Sequence, residues 1–418
     1  MNLILKHCDI LTKNKGKWSL IPNNSIIIKN GYINKIAPYN ISLNYQVLDC
    51  RDKIVMPSLC NTHVHLGDTI FRGIINNVTL DEYLRQTEMY NKKFDDFSRR
   101  LISAQLTLLD FIRNGTTSCC VGRGWPLLKE INFYNMNVLT GYVLMDIERL
   151  RDDYKNFDVK FSTYKREIEK FSPSLKIGIF IHSLNLVSEN LLKKVKQIID
   201  TEKIKIIVHV GELRGKNRRS DLEILNKYGL ISKYTILVHC LNFSKNDYRL
   251  LKKFKPNVVL CPTSNLKLLS GIADFEKLLA TGCNICIATD GGATNNSFNL
   301  FGEAKLASLL YNYFAGNFIL NENKLLDLII TNPLNALGFK KTGLIKEGYK
   351  ADLITIDKNF ISIQPKRSFI NNLISSGDSS MIKEVIINGK LIISKGRFLD
   401  EVEIKRIINL FNKLCNKL

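Results

Sequence analysis

Eight short apolar runs, most of them separated by amphipathic segments, constrain this chain more than any other feature. They are VMPSLCNTHVH from Val55, TTSCCV from Thr116, NVLTGYVLMD from Asn137 and LKIGIFIHS from Leu175, then IKIIVHVGE from Ile204, TILVHC from Thr235, NVVLCPTSN from Asn257 and NICIATDGG from Asn284. Their length and β-branched content read as strands. Segments 81–114, 189–201, 220–228 and 275–281 carry apolar residues at helical spacing. Strands alternating with helices imply parallel pairing, because a parallel neighbour needs a long crossover. Eight such units predict an α/β fold, a (β/α)8 TIM-type barrel over residues 54–343.

The flanks read differently. Residues 1–53 and 344–400 are short strands and turns, with SFINNLISS from Ser368 read as one of the strands. Asn30-Gly31 and Asn388-Gly389 are hairpin-turn signals, and Gly396 marks another turn. Neither flank has much core alone, so the two should pack together as one small β-sandwich. Residues 401–418 have helical periodicity and should dock on the surface.

The polar residues gather at the C-terminal ends of the predicted strands. Strand one ends in His63 and His65, strand four in His182, and strand six in His239. Strand five carries His209 and then Glu212, strand seven ends in Ser264 and Asn265, and strand eight in Asp290. Five of the six histidines therefore fall at strand ends, which a barrel brings to one face. Alternate strand residues point the same way, so His63 and His65 can grip one ion together. Imidazoles with one carboxylate suit Zn²⁺, and also Fe²⁺ or Mn²⁺; His209 and Asp290 complete such a set. One position is left for a water, whose pKa falls toward about 7. Asp290 can take the water's proton, His239 can orient the water, and Glu212 can shuttle protons to substrate and leaving group.

The motifs NTHVH, VHVGE, VHC and ATDGG, in that order, resemble the amidohydrolase superfamily. The resemblance implies a metal at the mouth of a barrel. A strand-five His followed closely by Glu implies the mononuclear deaminase branch. The strand-four His182, in place of a bridging modified lysine, implies one metal ion. HVHLGDTIFRGIINNVTLDEYL, IHSLNLVSE and CPTSNLKL look like the branch that deaminates methylthioadenosine or S-adenosylhomocysteine. By that likeness His182 touches the nucleoside and Glu82 holds the ribose hydroxyls. Glu82 has a second reading, since TLDE from Thr79 is a capping box. Asp68 stands where the branch often has an apolar residue, near the substrate mouth; it reads as a turn residue, with substrate binding as the alternative. The expected activity is hydrolytic loss of ammonia from a purine nucleoside or related heterocycle. Guanine, cytosine or aminofutalosine deamination, chlorohydrolysis, cyclic amide hydrolysis and a non-catalytic binding barrel are the alternatives.

Composition excludes some classes. No run of about 18 apolar residues spans a membrane. The N-terminus carries Lys6, His7 and Asp9 in its apolar stretch and no small-residue cleavage site, so no signal peptide is expected. Ten scattered cysteines do not form a secreted disulfide framework, and the expected compartment is the cytoplasm. Net charge is +21, but the basic residues are spread throughout and no aromatic-interleaved basic motif appears. The charge therefore argues for solubility rather than a nucleic-acid partner. Arg214, Arg218 and Arg219 read as a solvated loop, and the pair Cys283 and Cys286 as strand packing. A homodimer is an arrangement that the resemblance alone implies.

Overall fold

The computed structural model describes residues 2–38, 44–94, 97–125, 127–147, 153–213 and 220–416. Five strands come first: β1 Asn2–Asn14, β2 Lys17–Lys29, β3 Tyr32–Ala37, β4 Gln46–Asp49 and β5 Lys53–Pro57. The barrel strands follow: β6 Leu59–Val64, β7 Thr116–Val121, β8 Asn137–Leu144, β9 Leu175–Ile181, β10 Lys205–Val210, β11 Thr235–His239, β12 Asn257–Leu260 and β13 Asn284–Ile287. The chain closes with β14 Leu353–Asp357, β15 Ile382–Ile387, β16 Lys390–Ser394 and β17 Arg397–Phe398.

β6 to β13 pair in sequence order and in parallel, giving the eight-strand barrel expected from the alternating pattern. The seam between β13 and β6 is stitched just beyond the strand end. Asp290 N–H donates to the His63 carbonyl at 3.2 Å, and Asn61 Nδ2 donates to Thr289 Oγ1 at 2.6 Å. Residues such as Cys60, Phe180, Ile207 and Cys286 fill the interior and lie fully or almost fully buried. The opposite strand faces join the larger core beneath the helices.

The run read as the first barrel strand divides at Ser58. Its first part is β5, which pairs parallel with β1 and antiparallel with β14. β5 thereby joins both flanks into one nine-stranded sheet. Strand alternation explains how that sheet serves two cores. Val55 and Leu353 face inward with Leu5, Ile26 and Ile386, whereas Ile54, Met56, Ile354 and Ile356 face the barrel helices.

Two expectations are corrected. Segment 81–114 forms two helices, α1 Leu80–Phe94 and α2 Phe97–Arg113. SFINNLISS is not a strand, because Phe369–Ser376 is a helix that buries Phe369, Leu373 and Ile374. Spacings of four and one put those three on one helical face, and the branched side chains suggest a strand only when that spacing is ignored. The helix Glu401–Cys415 sets Phe411, Leu414 and Cys415 against Ile70, Phe71, Leu80 and Tyr83.

The two Asn-Gly turns form as the sequence predicts and pack against each other. Gly389 has φ +74°, and a Cβ there would stand 2.8 Å from the Gly31 Cα. Gly389→Ala should therefore combine left-handed backbone strain with a clash, and destabilise the chain by more than about 1 kcal/mol. Chemical unfolding of the two proteins checks this, and an unchanged midpoint would show that the turns part freely.

Candidate active site

Three strands and a seam bring the chemistry together. His63 lies in β6, His65 just beyond it, and His209 in β10. Their ligand atoms all lie within 4.8 Å of one another. His63 Nε2 stands 3.1 Å from His209 Nε2 and 3.2 Å from Asp290 Oδ1, and His65 Nε2 stands 3.5 Å from the same oxygen. Ligands about 2.0–2.1 Å from one ion, at tetrahedral angles, stand roughly 3.3 Å apart. The separations of 3.1, 3.2 and 3.5 Å lie close to that value. Asp290 Oδ1 is buried and has no hydrogen-bond donor among the described residues, while Oδ2 accepts from Ser264 Oγ at 2.6 Å and Thr294 Oγ1 at 2.8 Å. One carboxylate oxygen is thus fixed by the protein and the other presented. The donor set fits a divalent cation such as Zn²⁺.

The backbone adapts to make this possible. Asp290 has φ +64° and His239 φ +72°, both rare for residues with a Cβ. Gly211 follows β10 at φ +66°, where a Cβ would stand 1.9 Å from the Leu241 carbonyl oxygen. Only glycine lets the chain turn there and carry Glu212 back over His209.

Glu212 lies between two imidazoles. Its Oε1 is 3.5 Å from His239 Nε2, and its Oε2 is 4.0 Å from His209 Nδ1. Asn265 Oδ1 stands 2.9 Å from His239 Nδ1 and fixes that ring. Burial raises the Glu212 carboxyl, with the charge on Asp290 adding to it and His239 opposing it. Burial would raise Asp290 too, but the adjoining His63 and His65 hold it well below the usual range. The two acids are pushed apart, so one holds a proton where the other does not. Burial lowers His63 to about 4 and lowers His65 and His209 as well, which keeps all three in the neutral, ligating form.

Over this centre lies a cavity of about 820 Å³ lined by His65, His182, His209 and Glu212. Phe71, Tyr83, Tyr90, Trp125 and Phe180 supply flat apolar walls, and Arg99, Arg100 and Arg123 supply cations. His182 lies beside the centre, its ring 4.9 Å from that of His209. Glu82 does not line the cavity. Arg85 and Gln86 bond its carboxylate, and its N–H donates to Thr79 Oγ1 at 3.4 Å, which is half of a capping box. The helix turns its neighbour Tyr83 inward instead. Arg214, Arg218 and Arg219 lie outside the described residues.

Sequence reasoning missed Thr294 and the support behind the seam. The buried Glu303 accepts from Asn295 Nδ2 at 2.7 Å and from Thr263 N–H at 3.2 Å, while Asn295 Nδ2 also donates to the Thr289 carbonyl at 2.8 Å. Only an acid placed one turn into a helix hinted at this, and many surface helices show the same. Sequence reasoning also gave no role to Tyr83 or Trp125, both of which line the cavity.

A pH effect follows from the depressed histidines. Each binds its proton more readily in the unfolded chain, so stability is full above the unfolded pKa of about 6.5. It is lost as pH falls from there toward about 4 for His63. The metal-free chain should melt progressively lower across that window, and His63→Leu should flatten the dependence. A thermal scan at several pH values tests this.

Comparison with known proteins agrees with the geometry. Residues 54–392 match the family described as the amidohydrolase family. The chain is 28% identical to the 5-methylthioadenosine/S-adenosylhomocysteine deaminase of Acetivibrio thermocellus, over 97% of each protein. It is also 28% identical to the 5'-deoxyadenosine deaminase of Methanosarcina acetivorans, over 95% of this chain and 94% of that one. Among solved structures it superposes on a zinc-bound adenosine deaminase from Xanthomonas campestris with TM-score 0.89 and 21% identity, over 100% of this chain and 99% of that one. The zinc-bound atrazine chlorohydrolase TrzN of Arthrobacter aurescens gives TM-score 0.89 at 17% identity, over 99% of this chain and 100% of that one. With the barrel, the strand-end histidines and a matched region that spans most of its length, the chain belongs to the amidohydrolase family.

Proposed function

We propose that the chain is a hydrolytic deaminase that removes the amino group of a purine nucleoside of the adenosine, methylthioadenosine or S-adenosylhomocysteine type, releasing ammonia. The observation that carries this reading is Glu212, a buried acid held between His209 and His239 at the rim of the candidate metal set. A carboxyl there is placed to give a proton to a ring nitrogen and so make the neighbouring amidine carbon electrophilic. The relatives named as deaminases of such nucleosides support the substrate class. The cavity volume suits a nucleoside, and its aromatic walls suit a flat heterocycle.

His63, His65, His209 and Asp290 would hold one divalent ion, and we take Zn²⁺ as that ion. When bound, such an ion supplies a nucleophile from water at neutral pH. The protein's own residues do the rest. The aromatic walls hold the base and exclude bulk water. His239, fixed by Asn265, hydrogen-bonds the attacking oxygen through Nε2. Asp290 takes the proton of the attacking water at Oδ1. Glu212, left as a carboxylate once the ring is protonated, takes the proton of the newly added hydroxyl and passes it to the departing amine, which leaves as ammonia. His182 contacts the substrate from the β9 wall. Among the described residues no lysine lines the cavity, which favours one ion over a lysine-bridged pair. All ten cysteines are free, which fits a reducing compartment, and we place the chain in the cytoplasm.

Glu212→Gln should abolish ammonia release, by a factor of about 10² or more, while zinc content stays at the wild-type level. Ammonia assays on adenosine, 5'-deoxyadenosine, methylthioadenosine, S-adenosylhomocysteine and guanine, with metal analysis of the same samples, test both points. Normal turnover in that variant would remove the proton relay. His63→Ala should instead lose the zinc.

A further inference from the structure

Of the acids that line the cavity and have no part in the proposed reaction, Asp68 lies nearest in sequence to the histidine pair. Asp68 sits on the short 3-10 turn Leu66–Phe71, directly after the histidine pair, and lines the cavity. The turn is held in place, but not by the Asp68 carboxylate. Ser103 Oγ donates to the Gly67 carbonyl at 2.9 Å and accepts from Ile70 N–H at 3.1 Å. Thr107 Oγ1 donates to the Leu66 carbonyl at 3.1 Å and stands 2.6 Å from Thr69 Oγ1. From the other side Gly292 packs so closely that a Cβ there would stand 2.9 Å from Thr69 Cα. A Cβ on Gly291 would stand 3.3 Å from Asp68 Oδ2. Asp68 thus sits in a turn, as the sequence suggested, and its N–H reaches the His65 carbonyl at 3.5 Å, but its carboxylate makes none of the bonds that brace the turn.

What remains is a rigidly placed carboxylate with little to bind. Among the described residues its one side-chain hydrogen bond comes from Tyr83 Oη, at 3.3 Å to Oδ2. A partly buried acid whose single donor is a long phenol contact to one oxygen keeps acceptor capacity unused, and in a cavity wall that points to a donor that arrives with the ligand. Position narrows the choice. Asp68 follows β6 and Glu212 follows β10, four strands apart in an eight-strand barrel, so they occupy opposite walls. With a ring nitrogen at Glu212, a substituent on the reacting carbon can reach toward the opposite wall, where Asp68 Oδ2 lies beside Gly291.

We infer that Asp68 accepts an N–H of the exocyclic amine that leaves, orienting it for departure. The inference rests on the deaminase reading. It makes Asp68 a leaving-group contact that selects amines over substituents lacking N–H.

The test uses the full zinc-loaded chain and two purine ribonucleosides that differ at one carbon, one 6-amino and one 6-methoxy. In Asp68→Ala, kcat/KM for the 6-amino compound should fall roughly tenfold or more, with the 6-methoxy compound within about twofold of wild type. Asp68→Asn keeps a neutral acceptor and should recover part of the loss. It also carries the comparison if the alanine variant folds poorly. Equal losses on both compounds, or no loss on the amine, would overturn the assignment while leaving the deaminase reading intact. A wild-type chain that turns over neither compound sinks that reading, and the Asp68 contact falls with it.

Discussion

The structure turns on the seam where β13 meets β6. There the Asp290 N–H reaches the His63 carbonyl, and the side chains of the same two residues approach to 3.2 Å. Barrel closure and convergence of the candidate ligands are one event. The left-handed backbone at Asp290 is a local strain of order 1–3 kcal/mol that the surrounding bonds must hold. Ser264 and Thr294 do so from the side chain, and the network through Asn61, Thr289, Asn295 and Glu303 from behind. The electrostatics follow the same geometry. Burial strips the imidazoles of protons, and those rings in turn keep Asp290 ionised.

Much of this was legible in the sequence because barrels convert one-dimensional position into three-dimensional place. A residue at the end of a predicted parallel strand must lie at the barrel mouth, so His63, His65, His182, His209, His239 and Asp290 could be gathered without coordinates. The Asn-Gly turns were legible for a similar local reason. Their backbone conformation is set within two residues.

What escaped depends on contacts that no local pattern encodes. Glu82 and Tyr83 are neighbours in sequence, and only the packing of α1 on the barrel decides which faces the cavity. The division at Ser58 was hidden because β5 and β6 are one continuous apolar run that changes sheets without a turn signal. Ser103 and Thr107 brace the turn that carries Asp68 from a helix more than thirty residues away, as two unremarkable hydroxyls among many. The net charge of +21 read as mere solubility. Three of those cations, Arg99, Arg100 and Arg123, line the cavity mouth, and composition has no means of singling them out.

The flank sheet has a consequence for how the molecule comes into being. Pro57 pairs opposite Leu353, so the edge of β5 stays open until the entire barrel that follows it has left the ribosome. Throughout synthesis the nascent N-terminal strands present bare amides and carbonyls, a template for mispairing with a neighbouring polypeptide. Strands that emerge only after the barrel are the ones that seal it. A message truncated late, sparing every histidine in the barrel, would still release a product with an adhesive edge.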